Sequence, residues 1–406
     1  MDLLLFQIVA VLVVTLSFGR LARRLGQASV IGEILGGIAL GPSLFGRFFP
    51  QLFAKLFPKA SLEPFEILTT IGLIIFLFII GTELNLGQLY QHRLTVVIIG
   101  STSILFPFAI GAVLAGPLSV RFAPHGTSSL SFVLFLGISM SITAFPVLAR
   151  ILEERNLLGS ALGTTAIFCA VVGDVVAWLL LALAVATTRA KESGLTSLAL
   201  PLLMLLAYLS IMLGVVRPLA LRFARKRGGS AISIEILGLT LVGAFASAAA
   251  TTAIGVHPLF GAFLAGVCLP RNHQWQRSLR ARLETVVSIF LLPLFFALTG
   301  MRTRIDLLNS ATIWLWLAII LTTAVAGKMG GAALAARWMG WSWTNAFSLG
   351  ALLNTRGLVE LVVLSVAYDV GVFSPTLFTM LVTMTLITTV STTPILDLLY
   401  SRRNES

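Results

Sequence analysis

Thirteen apolar runs follow one another along the chain, at 3–19, 29–46, 65–81, 94–118, 128–149, 159–186, 198–216, 233–253, 257–270, 285–301, 311–336, 343–368 and 374–399, with short polar segments between them. Because about 20 apolar residues cross the hydrocarbon core of a bilayer, this pattern predicts an all-α polytopic membrane protein with thirteen transmembrane helices. Few polar residues interrupt the runs, and those that do carry the chemistry. In the sixth run Asp174 lies eleven residues into the stretch Gly163 to Ala186, at Gly-Asp-Val-Val-Ala-Trp (173–178), too deep to reach either headgroup layer. An acid at that depth is costly and marks an ion or proton path.

Two further runs read as broken helices. The fifth holds Ser139-Met-Ser-Ile-Thr-Ala-Phe-Pro146, where Pro146 removes a backbone donor and disfavours a helical Phe145. The twelfth holds Leu353-Asn354-Thr355-Arg356-Gly357, a polar interruption in an otherwise apolar stretch. Unwound backbone at membrane depth persists only where protein or a water-filled cavity satisfies it, and half-helix ends supply dipoles and carbonyls that hold ions. Arg356 needs a counter-charge, and Glu360 lies four residues on, one helical turn away. The eleventh run carries Lys328 among small residues, Ala-Gly-Lys-Met-Gly-Gly. Asp174 is its expected partner; spacing leaves Glu360 or a broken-helix carbonyl equally open.

The runs also repeat. Gly36 to Gly41 in the second and Gly261 to Gly266 in the ninth share a five-residue glycine offset, while the third ends at Gly81 and the tenth at Gly300, each after a Phe-rich stretch. These echoes pair run 2 with 9 and run 3 with 10, hence 5 with 12 and 6 with 13. Seven spans separate partners, an odd number, so the two halves are inverted. The expected architecture therefore has two inverted halves, with discontinuous helices in runs 5 and 12.

Composition then narrows the class. Hydrophobic residues make up 57% of the 406 and charged residues 11%, with mean hydropathy +0.99, so most of the surface faces lipid. The net charge of +12 does not mean nucleic acid, because the basic residues sit in loops and report orientation. Loops on the side of the C-terminus hold 18 Lys and Arg (Arg271, Arg402 and Arg403 among them) and the opposite loops 8, Lys59 and Lys191 included. The positive-inside rule places the C-terminus in the cytoplasm and the N-terminus outside. The Arg217 to Arg227 cluster, on the cytoplasmic side, either meets anionic lipid or sets orientation. The first run lacks a basic n-region and reads as a true membrane helix. Cys169 and Cys268 stand alone as packing residues, with no disulfide or metal spacing. No nucleophile-base pair, metal cluster or phosphate loop appears, so neither an enzyme nor a cofactor is expected. Glu33 is expected to have a structural or cavity-lining role and His257 to start a helix.

GEILGGIALGPSLFG (32–46), SITAFPVLARILEE (141–154), the run at 173–178, GKMGG (327–331) and NTRGLVELVVL (354–364) together resemble the monovalent cation:proton antiporter-2 family, and most of all its branch of plant cation/proton exchangers and bacterial Na⁺ or K⁺ antiporters. The resemblance implies two inverted six-helix repeats with crossed discontinuous helices, and a homodimer in a plasma membrane or bacterial inner membrane. It implies scaffold and dimerisation helices 1–3 in residues 1–90 and 8–10 in 231–305, a transport core of helices 4–6 in 91–190 and 11–13 in 306–406, and a linker helix 7 in 191–230. Asp174 matches the family's ion-binding aspartate and Lys328 its facing basic residue. The position before that aspartate, usually Asp or Asn in the family, is Gly173 here.

These readings predict an antiporter in which Asp174 binds either Na⁺ or K⁺ or a proton. Thr143, Ser141 and carbonyls near the break would complete an oxygen cage suited to hard cations, with Asn354 and Thr355 contributing from the other half. Ser and Thr hydroxyls also commonly bond back into their own membrane helix. A single carboxylate that carries one proton or one cation predicts electroneutral one-for-one exchange. A cation channel would move ions without obligatory proton movement, and a membrane-embedded sensor or solute carrier on the same fold would leave proton flux unaffected by cations.

Overall fold

A computed structural model describes residues 2–58, 61–83, 93–155, 157, 160–189, 195–226, 233–270 and 273–401; the loop residues Lys59, Lys191, Arg227, Arg271, Arg402 and Arg403 lie outside them, as do the expected segment limits near 90, 190 and 230. All regular structure among the described residues is helical. The order is α1 (Asp2–Arg24), α2 (Ser29–Leu40), α3 (Phe45–Phe48), α4 (Pro50–Leu56), α5 (Leu62–Glu83), α6 (Arg93–Phe122), α7 (Ser129–Ser141), α8 (Phe145–Glu154), α9 (Ala161–Arg189) and α10 (Leu195–Ile211). It continues with α11 (Arg217–Lys226), α12 (Ile234–Ala253), α13 (Pro258–Cys268), α14 (His273–Val286), α15 (Leu292–Arg302), α16 (Ala311–Val325), α17 (Gly331–Trp338), α18 (Trp343–Leu353), α19 (Leu358–Asp369) and α20 (Pro375–Ser401). π turns join α10 to α11, α14 to α15 and α16 to α17, the last at Ala326–Gly330.

Ten helical stretches among the described residues are long and apolar enough to cross a membrane, or eleven if α18 and α19, bent by 45° at their break, count as one. The other two apolar runs hold shorter helices, α7 and α13. Two segments read as loops are helical. α14 is amphipathic, burying Trp275 and Leu279 four residues apart and pairing Arg280 with Glu284 outside, so its period of 3.6 escapes a search for continuous apolar runs. Around α3 and α4, Phe45 meets the rings of Phe49 and Phe53, and Phe53 meets that of Phe57.

Helix packing falls into two groups. In the first, α1 lies on α2, α2 on α15, α5 on α13 and α15, and α12 on α13. In the second, α6 lies on α7, α9 and α17, α18 on α9, α17 and α20, and α19 on α7 and α20. Glycines set the closest approaches of the first group. A Cβ on Gly81 would stand 2.2 Å from Phe263 O and one on Gly266 2.1 Å from Phe78 O, where α5 meets α13. One on Gly300 would stand 2.3 Å from Ile34 O and one on Gly37 2.4 Å from Ala297 O, where α15 meets α2. Both helix pairs thus meet through a reciprocal contact of glycine on backbone.

In the second group the chain breaks twice. The first break covers Ile142–Ala144, between α7 and α8, and the second covers Asn354–Gly357, between α18 and α19. Phe145 and Pro146, expected within the first break, instead open α8. The first turn of a helix has no partner for its N–H groups, so a proline there loses nothing and fixes a helical φ. The break therefore comes just before the proline.

Candidate functional site

The two breaks touch each other. Ala144 N donates to Thr355 O at 2.9 Å and Thr143 Oγ1 to Leu353 O at 2.7 Å, so extended backbone from one crosses extended backbone from the other. A Cβ on Gly357 would lie 2.9 Å from Val147 Cγ2 and 3.1 Å from Ala144 Cβ, so the crossing at this depth depends on a residue without a side chain. Asn354, Thr355, Arg356 and Gly357 all lie in the second break, as the sequence reading expects of that polar interruption.

Ending α7 at Ser141 leaves its last carbonyls without intrahelical donors. Two buried cations meet them. Arg356 donates to Ser139 O and, at 2.9 Å, to Met140 O, while Lys328 donates to Ser141 O. Positive charge at a helix C-terminus also complements the helix dipole. Arg356 and Glu360, both fully buried, form an ion pair of 3.0 Å one turn apart. Thr389, from α20, holds the backbone of Arg356 on both sides: its Oγ1 lies 2.8 Å from Arg356 O and 3.3 Å from Arg356 N.

Lys328 sits in the π turn between α16 and α17, 1% exposed. Its second acceptor is Ser103 O in α6, at 2.9 Å. Of the three partners that spacing leaves open, the structure selects the broken-helix carbonyl and adds one from α6. Asp174, the expected partner, makes no ion pair with it, although Asp174, Cys169, Arg356 and Glu360 are all within electrostatic range of the ammonium.

Asp174 is 3% exposed in the middle of α9, which packs against α7, α8 and α18. Its Oδ1 is buried without a hydrogen-bond partner, and so are Asn354 Oδ1 and Thr355 Oγ1 in the second break. Buried polar atoms are nearly always satisfied, so each exception calls for an explanation. Thr143 spends its proton on Leu353 O and keeps lone pairs to offer. Ser141 Oγ lies 2.7 Å from Gly137 O and 3.0 Å from Ile104 O, bonded back into its own helix and across to α6. Glu33, buried in α2 facing Gly19, and His257, the N-cap of α13, are not among these groups, and both cysteines are buried free thiols, Cys169 being the one near Lys328.

Sequence reading passed over three contributors. Ser103 and Ile104 act through their carbonyls, which no side-chain pattern reveals. Thr389 was legible only as one member of a threonine-rich run in the last helix.

Comparison with known proteins then adds to this geometry. The family model described as the transmembrane region of sodium/hydrogen exchangers matches residues 8–398. The chain is 40% identical over 403 residues to the Na(+)/H(+) antiporter NhaS4 of Synechocystis sp., covering 98% of this chain and 97% of that protein. It is 38% identical to Cation/H(+) antiporter 19 of Arabidopsis thaliana across 98% of its own length and 50% of the plant protein, so it spans about half of that relative. Its fold resembles the solved sodium proton antiporter MjNhaP1 from Methanocaldococcus jannaschii, with a TM-score of 0.71 at 15% identity over 97% of this chain and 95% of the other.

Proposed function

Since the chain belongs to the sodium/hydrogen exchanger family, we propose that it exchanges a monovalent cation, Na⁺ or K⁺, for a proton by alternating access at Asp174. The observation that carries this is the buried, unpartnered Oδ1 of Asp174 on α9, which packs against the break-flanking helices α7, α8 and α18, while Lys328 and Arg356 are engaged by other groups; Glu360 Oε2 is also unpartnered, but the other oxygen of that carboxylate is held by Arg356. With Asp174 ionised, the charges of Asp174, Lys328, Arg356 and Glu360 cancel. A proton or a monovalent cation on Asp174 then gives the same net charge, which makes one-for-one exchange independent of membrane potential. A buried carboxylate cannot hold both at once, so the two compete.

Asp174, Thr143, Asn354 and Thr355 present oxygen donors, the type that suits hard alkali cations. Ser141 contributes less, because its carbonyl accepts from Lys328 and its hydroxyl is bonded twice. The cyanobacterial relative is named for Na⁺ and the plant relative only for a cation; we keep both ions. The first packing group serves as the scaffold and, paired with a second copy, as the dimer face; the second is the core that rocks against it. The reciprocal glycine contacts and the two crossing breaks support two inverted repeats within thirteen spans, α13 and the α7–α8 and α18–α19 pairs included. The loop charges support a cytoplasmic C-terminus.

Sealed proteoliposomes with an internal pH dye test the reading. Na⁺ or K⁺ pulses are expected to drive proton movement in the wild-type protein and none in Asp174→Asn. Full flux in the variant would remove Asp174 from the mechanism.

A further inference from the structure

The position of Lys328 depends on a residue that touches no ion. In an α-helix the carbonyl of residue 103 accepts from the N–H of residue 107, and residue 107 is a proline inside α6. Pro107 has no N–H to give that carbonyl, and a proline ring in a helix interior crowds the carbonyl four residues back. The carbonyl it leaves free, Ser103 O, is the one that Lys328 Nζ occupies at 2.9 Å. The next carbonyl along α6, Ile104 O, accepts from Ser141 Oγ at 3.0 Å. Contact between the elements is direct: a Cβ on Gly327, the residue before Lys328, would stand 3.3 Å from Pro107 Cα.

The geometry points to Pro107 as a positioning residue for cation exchange: by freeing Ser103 O it holds the Lys328 ammonium between two carbonyls and keeps it off the Asp174 carboxylate. The charged groups around that ammonium are Asp174 on α9, Arg356 beside the second break and Glu360 on α19, with the Cys169 thiol on α9. Arg356 repels it and Glu360 is already paired. Once one carbonyl is withdrawn, Asp174 is the anion left to attract it. A lysine drawn there occupies the cation's place. The inference rests on the exchange reading above, and it adds that the competition at Asp174 has a third party, kept out by a helix defect in α6.

Alanine at 107 restores the N–H, which reclaims Ser103 O. The same helix carries its own control, since Pro117 also interrupts α6 but frees Val113 O, to which no Lys328 contact is made. We would measure the Na⁺ or K⁺ dissociation constant of purified protein from cation-dependent thermal stabilisation, and KM and kcat from proteoliposome flux. Variants are Pro107→Ala, Pro117→Ala, Lys328→Met and Pro107→Ala in the Lys328→Met background. In Pro107→Ala the dissociation constant and KM rise by about tenfold, equivalent to about 1.4 kcal/mol, with kcat little changed. Pro117→Ala leaves them in place. In the Lys328→Met background the Pro107→Ala effect disappears, an interaction that a merely structural role for the proline would not produce. Should Lys328→Met not fold, the contrast between the two proline variants decides alone. An equal shift in both proline variants, no shift in Pro107→Ala, or a shift that survives the loss of Lys328 overturns the inference. Wild-type protein without cation-driven proton flux overturns the exchange reading as well, so the two failures are told apart.

Discussion

At the scale of residues, the site is a set of buried charges satisfied mainly by backbone. Arg356 has a carboxylate partner, yet it also closes two carbonyls of α7, so its loss removes more than an ion pair. Breaking a buried pair from one side costs about 3–5 kcal/mol, because a charge is left uncompensated. Arg356→Met strands the Glu360 charge and opens Ser139 O and Met140 O, whereas Glu360→Gln keeps a neutral acceptor beside the guanidinium. Thermal denaturation in detergent is therefore expected to rank Arg356→Met well below Glu360→Gln, and equal losses would reduce Arg356 to a counter-ion. The pair itself was legible in the sequence from its spacing of four. The partner of Lys328 was not, because carbonyls freed by a proline and by a helix end leave no mark in side-chain chemistry. The burial of Asp174 was legible from its depth in an apolar run.

At the scale of elements, hydropathy located the runs but not their internal geometry. The break in the fifth run lies at Ile142–Ala144 and not at Phe145–Pro146, since proline stabilises the first turn of α8. The polar break at Asn354–Gly357 was read correctly in place, because polar residues and glycine coincide there. α14 was missed for the opposite reason, its polarity disguising a helix. The crossing of the breaks makes a sharp demand at Gly357, where a Cβ would lie 2.9 Å from Val147 Cγ2. Gly357→Ala is expected to reduce exchange severely, and overpacking of this kind costs about 1–3 kcal/mol. Adding Val147→Ala removes the atom in the way and is expected to restore much of the activity. A double variant no better than the single one would place the requirement in the backbone of Gly357 and not in the space beside it.

At the scale of the whole molecule, two helix groups meet along a boundary with comparatively few close contacts, and polar links bridge it at one end. Arg302, closing α15, pairs with Glu66 of its own group at 2.6 Å and with Asp369 of the other at 2.9 Å, and its guanidinium lies over the Tyr368 ring. A cavity of about 130 Å³ lies beside these residues, with Thr69, Thr299 and Ser365 in its wall. Half-exposed ion pairs contribute about 0–1 kcal/mol each, so these links add little to the packing of one group on the other. Of the glycines that suggest a repeat in the sequence, Gly81, Gly266 and Gly300 stand at close helix approaches, where a Cβ would meet the backbone of the facing helix. The account as a whole turns on one carboxylate that trades a proton for a cation. Calorimetric titration of purified protein with Na⁺ or K⁺, repeated in buffers of different ionisation enthalpy, counts the protons released per cation bound. The account predicts close to one proton per cation at a pH where Asp174 is protonated before binding, and neither binding nor release in Asp174→Asn. Cation binding without proton release across the pH range where transport operates, or unchanged release in the variant, would contradict it.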